Sequence, residues 1–235
     1  MAEPEVSVIV ATFNEEGSIE NCLRRVVAAL TMPAEVLVVD GGHDRTGEIV
    51  QRLATELPAI RYIRNENDRG KGHATQVGIA AARGNIMVEI DADLQFLPEE
   101  LPRLIGPIQA GTTDVVLGSR FMKTSTRLPG STPPLRTFGN YVVSLYASIL
   151  FGQRMTDVLA GMSAWTRSTI EKTGLRSDNS SYEVELPVKA LKHRLRVLDV
   201  PVTTDARKEG KSNVKLFRDG MAILRDITLF RLGLK

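Results

Sequence analysis

Through the first half of the chain, short apolar runs rich in β-branched residues alternate with segments whose apolar residues recur every three or four positions. Residues 6–11, 36–40, 86–90 and 114–118 read as buried strands that end in polar or glycine residues. The helical period between them predicts helices over 18–30, 46–57, 73–82 and 99–110. This alternation predicts an α/β fold, a mostly parallel central sheet flanked by crossover helices. Ligands of such sheets bind beyond the carboxyl ends of the strands, so the residues after each run are the first candidates for chemistry. The second half is less regular. Residues 123–134, rich in Ser, Thr, Pro and Gly, predict a loop. Residues 138–151 predict a mostly apolar helix, 183–193 another helix, 195–202 a strand, and 214–232 a basic amphipathic helix.

Composition narrows the class without deciding it. With 235 residues, 43% hydrophobic and 25% charged, the chain can build a sizeable core. A net charge of +2 gives no reason to expect a nucleic-acid partner. Its distribution says more. Residues 205–235 carry eight Lys/Arg against four Asp/Glu, and residues 120–136 carry four Lys/Arg and no acid. Such local positive charge suits an anionic ligand or an anionic membrane. The single cysteine, Cys22, falls within the helical pattern Ile19, Leu23, Val26, Val27, Leu30, so a buried thiol in a reducing cytoplasm is expected. The N-terminal Met-Ala-Glu-Pro-Glu lacks the basic and apolar regions of a secretory signal. No apolar run reaches the ~18–20 residues that cross a bilayer, so no membrane span is expected.

The strongest local signal is Asp91-Ala92-Asp93, directly after an apolar strand. Residues i and i+2 of an extended segment point to one side, and two adjacent carboxylates repel unless a cation sits between them. Hard oxygen ligands suit Mg²⁺ or Mn²⁺, which typically adds substrate phosphates to one or two carboxylates. A solvated turn is the plain alternative. Thr12-Phe13-Asn14-Glu15-Glu16 follows the first strand and either packs against a nucleoside or simply caps the next helix through Asn14 or Ser18. Asp40-Gly41-Gly42-His43-Asp44 ends the second strand and reads either as a ribose- or base-binding acid or as a tight turn capped by Asp44. His43 has no second histidine or cysteine at ligand spacing. Gly70-Lys71-Gly72 opens a helix, where backbone amides could meet a phosphate or merely turn the chain.

In this order the motifs resemble the inverting family-two glycosyltransferases, and within them the dolichol-phosphate mannosyltransferase and polyprenyl-phosphate hexosyltransferase branch. The resemblance continues through Gly118-Ser119-Arg120, Arg136, Asn140, Thr156-Asp157, Gly161, Tyr182-Glu183-Val184-Glu185 and Val200-Pro201-Val202 to Arg207, Gly210 and Ser212. It implies the GT-A nucleotide-diphospho-sugar transferase fold over residues 1–212. The helix in 213–235 would then either lie on a membrane interface or pack on the core. It also implies roles. Thr12, Asn14, Glu15 and Asp40 would hold the nucleoside, and Lys71, Asp91, Ala92, Asp93 and Gln95 would meet the diphosphate. Asp91, Asp93 and Gln95 would ligate Mg²⁺ or Mn²⁺. Arg120, Arg136, Arg207 and Ser212 would face the lipid phosphate or the donor phosphates, with Asp91, Asp93 and Arg120 catalytic.

Two departures stand out. Gly41 replaces a second acid and His43 a serine in the usual Asp-Asp-Gly-Ser, and Asn213 stands where a lysine is common. The implied activity is transfer of a mannose or glucose from a GDP- or UDP-sugar to a polyprenyl or dolichyl phosphate, at the cytoplasmic face of a membrane. A soluble saccharide acceptor or a non-catalytic nucleotide-sugar binding module are the rival readings. A sugar nucleotidyltransferase would carry a glycine-rich turn where Ala11-Thr12-Phe13-Asn14 stands.

Overall fold

Strand β1 (Val6–Thr12) buries Val6, Val8, Ile9 and Val10 completely. A strand covered on both faces has no reason to alternate, which is why its sequence is a continuous apolar run. The computed structural model describes residues 3–207 and 216–235. After β1 come α1 (Ile19–Ala29), β2 (Ala34–Asp40), α2 (Thr46–Glu56), β3 (Ile60–Arg64), α3 (Lys71–Ala81) and β4 (Ile86–Ile90). The chain continues through α4 (Leu101–Gln109), β5 (Val115–Ser119), the short β6 (Thr126–Arg127) and α5 (Pro134–Phe151). It ends with β7 (Met162–Thr166), α6 (Arg167–Thr173), α7 (Ser181–Lys192), β8 (Val197–Pro201), β9 (Thr203–Thr204) and α8 (Leu216–Leu232).

Seven strands form one sheet in the order β3-β2-β1-β4-β7-β5-β8. All pairings are parallel except those of β7, which runs antiparallel to both β4 and β5. One face of the sheet meets α1, α2 and α4 through residues such as Val8, Val10, Leu23, Val50 and Leu104. The other buries Ile9, Leu37, Met87, Trp165 and Leu186. The expected α/β architecture with a mostly parallel, helix-flanked sheet is therefore present.

Two strands of the seven-stranded sheet were not anticipated. The sequence of β3, Ile-Arg-Tyr-Ile-Arg, is interrupted by arginines because it lies at the sheet edge, so it lacks the apolar run that marks the central strands. β7, Met-Ser-Ala-Trp-Thr, is short and contains a buried Ser163; pairing on both sides, not its own composition, makes it a strand. The predicted loop 123–134 contains β6, which pairs with β9 through Thr126 and Thr203. Helix α5 begins at Pro134, four residues earlier than the apolar pattern, because a fixed proline φ suits the first helical turn.

The sequence left the C-terminal helix open between a membrane interface and the core. Ile223, Ile227 and Phe230 of α8 are buried against Val143 and Ala147 of α5 and Val188 of α7. One face of the helix thus packs on the fold, while Met221 on it is 67% exposed. Cys22 is fully buried, as expected, and burial pushes its thiol up to about 12. Truncating Ile227 to alanine should cost about 2–4 kcal/mol of stability, the usual range for a core cavity of this size. Urea unfolding measures it, and an unchanged midpoint would contradict the packing of α8.

Candidate active site

The turns that follow β1 and β2 lock onto each other. Asn14 sits at φ 59°, and its side-chain oxygen accepts the His43 amide at 2.7 Å. Gly42 lies so close to the Asn14 backbone that a Cβ there would stand 2.5 Å from the Asn14 nitrogen. Asp40 is buried with both oxygens committed. Oδ1 accepts from the Thr12 hydroxyl (3.1 Å) and the Gly42 amide (3.0 Å), while Oδ2 accepts from the Tyr62 hydroxyl (3.2 Å) and pairs with Arg64 (3.3 Å). Thr12, Asn14 and Asp40 therefore brace this end of the sheet. What projects from it is Phe13, 47% exposed, edge-on to His43 with ring centroids 6.2 Å apart.

The segment after β4 turns instead of continuing extended: Leu94 adopts φ 60°, and Asp93 Oδ1 accepts the Gln95 amide at 2.9 Å. Asp91 and Asp93 nonetheless feel each other. Burial first, and then the charge of Asp91, raise the proton affinity of Asp93. Glu15 joins the same field. Burial raises its proton affinity most, and Arg207, Asp93 and Asp91 all act on it electrostatically. Each aspartate has a cationic partner, Lys71 Nζ 2.6 Å from Asp91 Oδ1 and Arg207 Nη2 2.6 Å from Asp93 Oδ2. Asp91 also donates its amide to the Gly161 carbonyl (3.1 Å), and a Cβ at Gly161 would overlap Asp91 Oδ2. Only glycine leaves room for that carboxylate.

Lys71 does more than reach Asp91. Its Nζ also lies 2.7 Å from Glu183 Oε1 and 3.1 Å from Glu89 Oε1, and 5.6 Å from the centre of the Tyr182 ring. Tyr182 in turn donates its hydroxyl to Glu89. The Glu89 carboxyl is pushed up to about 8, first by burial; Lys71 opposes the shift and Asp91 and Glu183 add to it. The N-terminus of α3, left open between a phosphate site and a plain turn, packs on the chain before α7. The His73 amide donates to the Asp178 carbonyl at 3.0 Å, and a Cβ at Gly72 would overlap the Ser177 carbonyl. Those glycines permit close backbone packing.

Three arginines converge beside the carboxylates. Arg120 is held by a two-pronged pair with Asp157, Nε to Oδ2 at 2.7 Å and Nη2 to Oδ1 at 2.8 Å, and donates to the Leu159 carbonyl at 2.6 Å. Its guanidinium lies over the rings of Phe96 and Phe121. Asp91 and Glu183 act on it electrostatically. Burial, and then the charges of Arg207 and Arg120, hold Arg136 below the usual arginine range. Like charges gathered in this way attract anions. Gln95 donates its side-chain amide to the Ser131 carbonyl at 2.7 Å, tying the turn to the loop before α5. Ala92 is buried within the turn, and Ser212 lies outside the described residues.

The donor set fits a hard divalent cation: two mutually repelling carboxylates, Asp91 and Asp93, at the carboxyl end of a parallel strand. Among the described residues no group of three or more His, Cys, Asp or Glu side chains is arranged around one metal position. A cation here would take its remaining oxygens from substrate and water. Comparison with known proteins shows the family. The profile of glycosyl transferase family 2 matches residues 7–163. The chain belongs to that family.

Among family-2 relatives, a low-salt glycan biosynthesis hexosyltransferase of Haloferax volcanii is 33% identical over 226 residues, 94% of this chain. The chain spans about half of that relative's length, 52%. An undecaprenyl-phosphate mannosyltransferase of Micrococcus luteus is 30% identical over 219 residues, covering 89% of this chain and 87% of its own. Glucosyl-3-phosphoglycerate synthase of Mycobacterium tuberculosis, solved with Mn²⁺, UDP and glucosyl-3-phosphoglycerate, superposes with a TM-score of 0.73 at 22% identity. The match covers 100% of this chain and 81% of that one. At that identity the likeness shows a shared GT-A fold.

Sequence reasoning assigned no role to Glu89, Tyr182, Glu183 or Asp157. A signal existed for Glu89, since a glutamate inside a five-residue strand that is otherwise apolar needs a partner. The folded state holds the Glu89 proton more tightly than the unfolded chain, in which the group titrates near 4.5. Its contribution to stability is therefore fully present below that value and is lost as pH rises towards about 8. Glu89→Gln should flatten the fall in urea midpoint between about pH 5 and 8. A fall as steep as in the parent protein would contradict this account of Glu89.

Proposed function

We propose that the protein is an inverting hexosyltransferase that moves mannose or glucose from a GDP- or UDP-sugar to a polyprenyl or dolichyl phosphate. The observation that carries this reading is the pairing of Asp93 with Arg207 and of Asp91 with Lys71, with Arg120 in electrostatic reach of Asp91 and Arg136 in reach of Arg120 and Arg207. The names of the relatives, an undecaprenyl-phosphate mannosyltransferase among them, point the same way. Glu15 and the braced turns at Thr12, Asn14 and Asp40 form the nucleoside side of the cleft, with Phe13 free to stack. Mg²⁺ or Mn²⁺, held by Asp91, Asp93 and Gln95, would neutralise the departing diphosphate.

In the reaction an acceptor phosphate oxygen forms a bond to the anomeric carbon while the bond from that carbon to the diphosphate oxygen breaks. The electron pair leaves with the nucleoside diphosphate, and the configuration inverts. A phosphate acceptor needs no general base, because its second pKa is about 6 and it is largely dianionic at neutral pH. It needs cations to hold it, and planar guanidinium groups suit phosphate. Arg120 is already locked in orientation by Asp157, so little freedom is lost when it meets an anion.

The position of exposed apolar surface favours a lipid acceptor over a soluble one. Leu135, Phe138, Val142, Leu145 and Ile149 form an outward stripe along α5, with Phe138 65% and Ile149 70% exposed. This helix begins beside Arg136. A groove of about 590 Å³ next to it is lined by Phe121, Leu128, Phe138 and Tyr141, with Arg127 at its edge. Among the described residues no helix is long and apolar enough to cross a membrane. The apolar stripe of α5, not that of α8, would then be the part that lies on the cytoplasmic face of a membrane.

With labelled GDP-mannose or UDP-glucose, polyprenyl phosphate should accept sugar and phosphoglyceric acid or free saccharides should not. Transfer only to a soluble acceptor would overturn the lipid assignment. Asp91→Asn should lower turnover by at least about a hundredfold, in line with loss of an electrostatic group acting at the leaving group, with an unchanged circular dichroism spectrum. The paired change Phe138→Ser and Ile149→Ser should reduce flotation with anionic liposomes while leaving the melting temperature in place. Undiminished flotation would remove α5 from the membrane contact.

A further inference from the structure

The cation that Asp91 would hold has a competitor built into the fold. Lys71 Nζ already sits 2.6 Å from Asp91 Oδ1. The same ammonium has Glu183 within reach at 2.7 Å, and the Glu89 carboxyl oxygen lies 3.1 Å away. Lys71 can therefore release Asp91 and stay paired, so the exchange leaves no buried charge alone. Asp93 is held in the same way by Arg207, 2.6 Å away. A divalent cation arriving by itself must displace both protein cations. A cation arriving with a nucleoside diphosphate brings oxygens on which Arg207 can settle.

We propose that Lys71 is a positioning residue that competes with the divalent cation for Asp91, so that cation and nucleoside diphosphate bind as a strongly coupled pair. The inference rests on the cation site assigned above to Asp91 and Asp93. It gives Lys71 a role different from phosphate binding: the ammonium fixes the Asp91 carboxylate against Gly161 and keeps the cleft from collecting metal when no donor is present. Glu183, at the start of α7, is the partner that receives the ammonium when Asp91 is taken, which links the donor end of β4 to the helix across the cleft.

Manganese binding read by the electron paramagnetic resonance signal of free Mn²⁺ tests this without any turnover. Wild-type protein should bind Mn²⁺ at least about tenfold more tightly with GDP or UDP present than without, and by linkage Mn²⁺ should tighten the nucleotide by the same factor in calorimetry. Equal Mn²⁺ affinity with and without either nucleotide would overturn the proposal and needs no variant. In Lys71→Met, and in the charge-balanced pair Lys71→Met with Glu183→Gln should the single change unfold the protein, nucleotide-free Mn²⁺ affinity should rise about tenfold and the coupling should shrink. Lys71→Arg should behave as wild type. If Asp91→Asn abolishes Mn²⁺ binding but the neutral Lys71 variants leave nucleotide-free affinity unchanged, the competition fails while the cation site stands. If Asp91→Asn leaves Mn²⁺ binding intact, the cation site itself is wrong.

Discussion

The carboxylate of Asp91, fixed between the ammonium of Lys71 and the bare backbone of Gly161, is the constraint on which the rest of the site depends. It sets demands on four distant pieces of chain. β4 must end at Ile90 so that the acid projects beyond the sheet, and α3 must begin at Lys71 so that its first side chain points inward. The residue before β7 must be glycine. α7 must start with Tyr182 and Glu183 facing the same ammonium. The antiparallel insertion of β7 between β4 and β5 meets the third of these demands, because it carries Gly161 to the end of β4. The one strand that breaks the parallel pattern is thus the one the carboxylate needs.

Charge around Asp91 falls into two groups. Three acids share Lys71, and burial first, then the charges of Asp91 and Glu183, let Glu89 hold a proton to about pH 8. Arg120, Arg136 and Arg207 gather positive charge where acceptor and donor phosphates would lie. Arg120 touches both groups, since its fork is spent on Asp157 while its charge still acts on Asp91 and Glu183. The exposed apolar stripe of α5 starts where the arginines end. An amphipathic acceptor, with a charged head and a long apolar tail, matches that juxtaposition better than a small sugar does.

Much of the frame was legible because buried parallel strands and amphipathic helices write themselves as distinct periodicities. The runs at β1, β2, β4 and β5 and the motif Asp91-Ala92-Asp93 could be placed without coordinates. β3 was hidden by its edge position, and β7 by a sequence whose strand character comes from two neighbours. The surroundings of Asp40 and Lys71 were hidden for a related reason. A polar residue at a strand end looks the same in sequence whether it faces a ligand or is consumed by protein partners. Asp40 is consumed by Thr12, Gly42, Tyr62 and Arg64. The C-terminal helix carried a basic amphipathic pattern that fits either a membrane or a core, and only the structure shows that Ile227 and Phe230 pack inward.

The measurement that bears most directly on the account is anomalous diffraction at the manganese edge from crystals grown with Mn²⁺ and a nucleoside diphosphate. A single peak bridging the carboxylates of Asp91 and Asp93 and the two phosphates, with the nucleoside over the β1 and β2 turns, is the predicted result. A peak elsewhere, or a diphosphate bound with those two side chains turned away from it, would contradict the assignment of this cleft to sugar transfer.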